Sequence, residues 1–251
     1  MYTDTHCHLS KDDYDDIDEI IKKAIDQGVK RLFISGCDKK GIIESVEISK
    51  KYENVYLELG FHPSEAEIVS ENDIEWLKKI IEKNKKVIAI GEIGLDYHWV
   101  KDNKEKQQKL FKNMILLAKE LNLPVVIHSR DAFQDTYDIL KQMNVKGVIH
   151  CFSGNIENAK MYTSLGFKLG IGGVSTFKNT KLKEVIKEIQ ISNILLETDS
   201  PYLTPEPYRG RKNEPSYIPV IAENISKLKE IPLNNLAEII EKNVNETFKF
   251  D

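Results

Sequence analysis

Long apolar runs are missing from this chain of 251 residues. None reaches the roughly 20 residues that a membrane span needs. An excess of basic charge is missing too: 36 lysines and arginines stand against 40 aspartates and glutamates, for a formal net charge of −4. That balance argues against tight, non-specific binding to long duplex DNA, which relies on neutralising phosphates. A small nucleic-acid site with a local basic loop remains compatible with it. Cysteines are few (Cys7, Cys37 and Cys151) and none has a paired CxxC spacing. An odd number of thiols without a secretory context predicts reduced cysteines and a cytoplasmic location. The N-terminal MYTDTHCHLS has neither the basic nor the apolar region of a signal peptide, so none is expected. No linker or low-complexity stretch interrupts the chain, and a single domain over residues 1–251 is expected.

What is present alternates. Hydrophobic residues make up 41% of the chain, enough to bury a large core. Short β-branched runs predict strands near Tyr2–Thr5, Arg31–Ser35, Val55–Leu59, Val87–Ile90, Val125–Ile127, Gly147–Ile149, Phe167–Gly170 and Ile194–Leu196. Charged runs with apolar residues at helical spacing separate them, as in Asp15–Gln27, Lys104–Asn122, Lys181–Gln190, Pro219–Lys229 and Leu233–Phe248. Such alternation implies parallel pairing with right-handed crossovers. Eight repeats closing on themselves give an α/β fold, the (β/α)8 TIM barrel. An open doubly wound sheet is the alternative. The long irregular segment Ser200–Pro219 is where a functional loop is expected.

Five of the six histidines stand at predicted strand ends. His6 and His8 leave the first strand, His62 follows the third, His128 the fifth and His150 the sixth. Glu92 and Asp199 end the fourth and eighth. In a parallel barrel these ends open on one face, where active sites are built. His6 and His8 differ by two positions, so both point to the same side, and two such imidazoles can hold one metal ion. The ordinary alternative is a pair of satisfied core histidines. Glu92, in AIGEIGLDYH, is a carboxylate in an apolar strand, costly to bury unless paired or bound to a cation. Its two oxygens suit a bridging role. His128 and His150 are each more ordinary as core histidines, but together beside Glu92 they make a second candidate metal site. Asp199 joins His6 and His8 if the barrel closes. Glu197 reads as a supporting carboxylate, and Asp4 as structural. Cys7 points away from the histidines. A mixed imidazole and carboxylate set suits zinc, manganese, magnesium or a similar divalent ion better than calcium. Two such ions can activate a water and stabilise a phosphoryl transition state.

Arg130, Lys178, Arg209, Arg211 and Lys212 fall after predicted strands, where guanidinium forks and ammonium groups can meet phosphate. Trp99, Phe177, Tyr202 and Tyr208 are candidates for stacking bases. Solvated or loop-packing roles are the plain alternatives for all of them.

The motifs DTHCHL, GFHP, AIGEIGLDYH, PVVIHSRDA, GVIHCFSG, LGIGGVSTFKN, LLETDSPYLTP and RGRKNEP, in this order, resemble the TatD family of metal-dependent deoxyribonucleases over essentially the whole chain. The resemblance implies a (β/α)8 barrel with two divalent ions. His6, His8 and Asp199 would hold the first, His128 and His150 the second, and Glu92 would bridge. It also implies hydrolysis of DNA phosphodiesters, as a 3′-5′ exonuclease on single-stranded or short DNA, with no membrane and no obligate protein partner. Asp199 and Glu92 would act in catalysis, with His62 near the phosphate or the leaving oxygen. Arg130, Arg209, Arg211 and Lys178 would bind substrate. An amidohydrolase or deacylase acting on an N-acyl or ester substrate is the competing enzyme. Many of these bridge their metals with a modified lysine after strand four, and Ile90-Gly91-Glu92-Ile93 offers none. A binding protein that keeps the barrel without turnover is the third reading.

Overall fold

Alternating β-branched and amphipathic stretches fold as the periodicity predicts. The computed structural model describes residues 1–99 and 102–250. The strands are β1 (Tyr2–Cys7), β2 (Val29–Gly36), β3 (Val55–Leu59), β4 (Val87–Asp96), β5 (Val125–Arg130), β6 (Gly147–Ile149), β7 (Lys168–Ile171) and β8 (Ile194–Leu196). The helices are α1 (Ile17–Asp26), α2 (Lys39–Lys51), α3 (Glu71–Glu82), α4 (Lys104–Glu120), α5 (Phe133–Met143), α6 (Ile156–Ser164), α7 (Leu182–Glu188), α8 (Ile218–Lys229) and α9 (Leu233–Thr247). Neighbouring strands pair in parallel in the order β1 to β8. Helix starts follow capping rules: the Asp16 carboxylate accepts from the Glu19 N–H, and Asp38 does the same for Gly41.

The barrel closes between β8 and β1. The Asp199 N–H donates to the His6 carbonyl at 3.0 Å, and the His8 N–H to the Ser200 carbonyl at 2.7 Å. Asp4 clamps this seam: its carboxylate accepts from the Thr198 N–H (2.9 Å), the Thr198 hydroxyl (2.6 Å) and the His6 N–H (3.3 Å). This is a (β/α)8 TIM barrel, and the open-sheet alternative is excluded.

Side chains alternate along each strand. One set, including Leu32, Ile34, Leu57, Ile127, Ile149 and Leu196, packs outward against the helices. The other set fills the barrel. Its lower part joins Phe33, Ile88, Val126, Val148 and Leu195 to Val244 and Phe248 of the α9 region. Phe250 adds to this plug, 5.0 Å from the Tyr56 ring. All three cysteines are free thiols. No helix among the described residues is long and apolar enough to cross a membrane.

Candidate metal centre

Two residues further along the same strands, the interior changes character. Above Val126 comes His128, above Val148 His150, and above Leu195 Glu197. β1 contributes His6 and β3 Glu58, both fully buried. β4 runs on past the predicted end at Ile90 to Asp96, so Glu92 sits within the strand rather than at its tip.

The six predicted ligands come together. The His6 Nε2 lies 3.6 Å from the Glu92 Oε2 and 3.8 Å from the Asp199 Oδ1. The His8 Nε2 lies 3.5 and 3.6 Å from the same two oxygens. These distances are too long for good hydrogen bonds. They are compatible with a shared cation: atoms about 2.1 Å from one tetrahedral ion stand roughly 3.4 Å apart, and His6, His8 and Glu92 offer three ligand atoms within 4.8 Å of one another. The His6 Nε2 is buried and has no hydrogen-bond partner of its own, and such an atom calls for an explanation. On the other side, the Glu92 Oε1 meets the His128 Nδ1 at 2.7 Å and the His150 Nε2 at 2.8 Å. Glu92 therefore turns one oxygen to each histidine pair. The donor set fits divalent cations on both sides.

Electrostatics follow from burying several ionisable groups together. Burial works against a charged His8, but the nearby Asp199 and Cys37 outweigh this and raise it to about 10. For His128, burial is likewise overcome by Asp96 and Glu92, and its pKa reaches about 9. Burial pushes Glu92 up, yet the surrounding His150, His128 and His6 hold it well below the usual carboxylate range. Glu197 goes the other way, driven well up by burial and reinforced by Asp199. A Cβ on its neighbour Gly170 would stand 1.9 Å from the Glu197 Oε2, so a larger residue there would push that carboxylate aside. Asp199 and Cys151 hold left-handed backbone, with φ of 53° and 45°. Such strain in non-glycine residues clusters at functional sites.

A family model described as TatD related DNase matches residues 3–249. The uncharacterized metal-dependent hydrolase YabD of Bacillus subtilis (strain 168) is 43% identical, over 100% of both chains. The chain belongs to the TatD family. It is a metal-dependent hydrolase. The similarly described YcfH of Escherichia coli (strain K12) is 34% identical, covering 99% of this chain and 96% of its own. The crystal structure of YjjV, a TatD homolog from Escherichia coli K12, matches with a TM-score of 0.92 at 29% identity, covering 100% of this chain and 98% of that one.

The remaining predicted residues of this TatD chain occupy the mouth. His62 lies beside the centre, its Nε2 3.8 Å from the Glu92 Oε1. The Ser64 N–H donates to the His62 Nδ1 at 3.1 Å. The ring proton is therefore on Nε2, aimed at the site. Burial drives His62 down to about 4, only partly opposed by Glu92, so it is a neutral donor at pH 7. Arg130, Lys178, Arg209 and Arg211 are exposed on the rim. Each arginine lies against a ring: Arg130 is 5.4 Å from the Trp99 centroid, Arg209 4.0 Å from Phe177, and Arg211 5.8 Å from Tyr208. Cys7 does turn away, and its thiol donates to the Phe33 carbonyl.

Two carboxylates escaped the sequence reading. Glu58 is fully buried, with its Oε2 2.8 Å from the His6 Nδ1. Asp96 holds the His128 Nε2 at 3.0 Å. The signals were an acid inside the apolar run VYLEL, and a second acid four residues beyond Glu92 on the same strand face.

Proposed function

We infer that this metal-dependent hydrolase cuts the phosphodiester bonds of DNA, working 3′ to 5′ on single strands, with two divalent ions. The observation that carries the two-ion part is the division of Glu92, whose Oε2 faces His6 and His8 and whose Oε1 faces His128 and His150. The DNA substrate is supported by the TatD related DNase family match. His6, His8, Asp199 and Glu92 would hold one zinc, manganese or magnesium ion. His128, His150 and Glu92 would hold the other. When bound, such ions supply a nucleophilic water at neutral pH and offset charge on the phosphoryl oxygens.

The chain's own groups do the rest. Asp199 orients the attacking water and accepts its proton. His62 offers its Nε2–H to a phosphate oxygen or to the leaving oxygen. Arg130, Arg209, Arg211 and Lys178 hold the flanking phosphates from the rim. A single-domain protein working in the cytoplasm with reduced thiols completes this reading.

Glu92→Ala and Asp199→Ala test it. Metal content by mass spectrometry should drop below two ions per chain. Hydrolysis of labelled single-stranded DNA should fall at least about 1,000-fold. Duplex DNA, 3′-blocked DNA and an N-acyl substrate run in parallel. Unchanged metal content with unchanged hydrolysis would rule the scheme out. Turnover of the N-acyl substrate alone would move the protein to the amidohydrolases.

A further inference from the structure

Large apolar side chains are seldom exposed on this molecule, and two of those that are stand at the barrel mouth. Trp99 is 74% exposed and Tyr202 59%. Their positions correspond. Trp99 comes three residues after Asp96, and Tyr202 three residues after Asp199. Both carboxylates belong to the metal centre: Asp96 bonds the His128 Nε2 at 3.0 Å, and the Asp199 Oδ1 stands 3.6 Å from the His8 Nε2.

Both aromatics are also held in place. The Asp96 Oδ1 accepts from the N–H groups of His98 at 2.9 Å and Trp99 at 3.4 Å. Asp96 is itself pinned, since Gln107 of α4 bonds both its N–H and its carbonyl. On the other side, the Tyr202 N–H donates to the Asp199 carbonyl at 2.9 Å. The Asn213 amide donates to the Tyr202 carbonyl at 2.6 Å. The Tyr202 ring lies 6.2 Å from that of His8. A three-residue span keeps each aromatic Cα within about 11 Å of its carboxylate-bearing neighbour.

In a closed ring of eight strands, the loops after β4 and β8 lie on opposite sides. The loops that carry the two exposed rings therefore leave the barrel on opposite sides of the metal centre. Arg130 lies against Trp99 and places a cation beside that ring.

We propose that Trp99 and Tyr202 form a two-sided stacking clamp for unpaired DNA bases, one on each side of the scissile phosphate. A base inside a duplex has both faces covered by its neighbours. Only an unstacked strand can offer one face to Trp99 and another to Tyr202, whatever the base identity. The clamp gives a physical cause for single-strand preference, and it rests on the phosphodiesterase reading above.

The test uses metal-loaded protein and two kinds of single strand, one with bases and one abasic. On the base-bearing strand, Trp99→Ala and Tyr202→Ala should each raise KM about fivefold or more, with kcat changing less. The double variant should lose about 25-fold. Trp99→Phe and Tyr202→Phe should recover most of the loss, and abasic strands should erase it. Binding is read separately in a Trp76→Phe background, where Trp99 is the remaining tryptophan. A hydrolysis-resistant phosphorothioate strand with bases should quench its fluorescence, and the abasic version should not. DNA cleaved with unchanged KM in both alanine variants, or equal losses on abasic strands, would overturn the clamp and leave the phosphodiesterase standing. If DNA is neither bound nor cut by the unaltered protein, the phosphodiesterase reading itself fails and the clamp falls with it.

Discussion

The lower and upper halves of the barrel interior are built by the same strands, yet they are different media. One inward step along β5 exchanges Val126 for His128. One step along β6 exchanges Val148 for His150, and one along β8 exchanges Leu195 for Glu197. Below, Phe33, Phe248 and their neighbours are sealed from water, the Phe33 and Phe248 rings 4.9 Å apart. Above, ionisable groups are nearly as deeply buried, which costs free energy unless each finds a partner. Several have not. Among the described residues, the buried side-chain atoms without a hydrogen-bond partner are His6 Nε2, Ser35 Oγ, Glu58 Oε1, His150 Nδ1, Glu197 Oε2, Ser200 Oγ and Glu241 Oε1. All but the last lie around the upper interior. The lower half stabilises the barrel, and the upper half gives stability up to assemble a site.

The sharpest way to break that division is Phe33→Ala. It removes a fully buried ring that touches Phe248 and Tyr56. Denaturant unfolding should show a loss of about 3–5 kcal/mol. Metal stoichiometry and affinity should stay as they were. A parallel loss of metal affinity would show that the two halves are not separable.

The next effect belongs to the upper half alone. Without a cation, the carboxylates keep protons on His8, at about 10, and on His128, at about 9, despite burial. Both are protonated at pH 7, and both must be neutral to bind metal. Against its burial, Glu58 and Glu92 hold His6 well above its usual range too, so binding releases the protons of all three histidines and affinity rises with pH. The gain should be at least about 100-fold per pH unit near neutrality, levelling off only above about pH 10. Calorimetry in buffers of different ionisation enthalpy counts those protons. Phe33→Ala should leave the count unchanged, and no proton release would refute the account.

The sequence shows this division unevenly. Period-two alternation and histidines at strand ends make the barrel and the cluster of six legible from local pattern. Asp96 is hidden because Gly91 and Gly94 interrupt the β-branched run, so the strand seems to stop at Ile90. At Gly94, with φ of 144°, a Cβ would sit 2.0 Å from the His128 carbonyl oxygen, so glycine is what lets β4 continue. Glu58 is hidden for a different reason. An acid alternating with apolar residues reads as the wet face of a strand, and only barrel closure turns that face inward. Asp4 reaches Thr198 across 194 positions, a pairing no local pattern encodes. The ring beneath each rim arginine is likewise set by tertiary contact.

Glu58 also sharpens the comparison, with the smallest expected effect. Its Oε2, 2.8 Å from the His6 Nδ1, keeps the ring proton on that nitrogen. The Nε2 is thereby the nitrogen that would meet a cation beside Glu92 and Asp199. Carboxylates placed in this way typically contribute 10–100-fold to metal affinity. Glu58→Ala should weaken divalent-ion binding by about that factor, while Glu58→Gln, which keeps an acceptor, should retain most of it. Nitrogen-15 NMR of the metal-free protein should show His6 holding its second ring proton to higher pH in the parent than in the Ala variant, because Glu58 helps to raise its pKa. Glu58→Ala also leaves the buried His6 without its partner, so metal-free stability should fall, as it does in Phe33→Ala, but here metal affinity falls with it. Two truncations on neighbouring strands would then differ in metal affinity, because one empties a hydrocarbon core and the other removes a support of the cation site. Unweakened metal binding in Glu58→Ala, with His6 holding its second ring proton to the same pH as in the parent, would show that Glu58 does not position the ring.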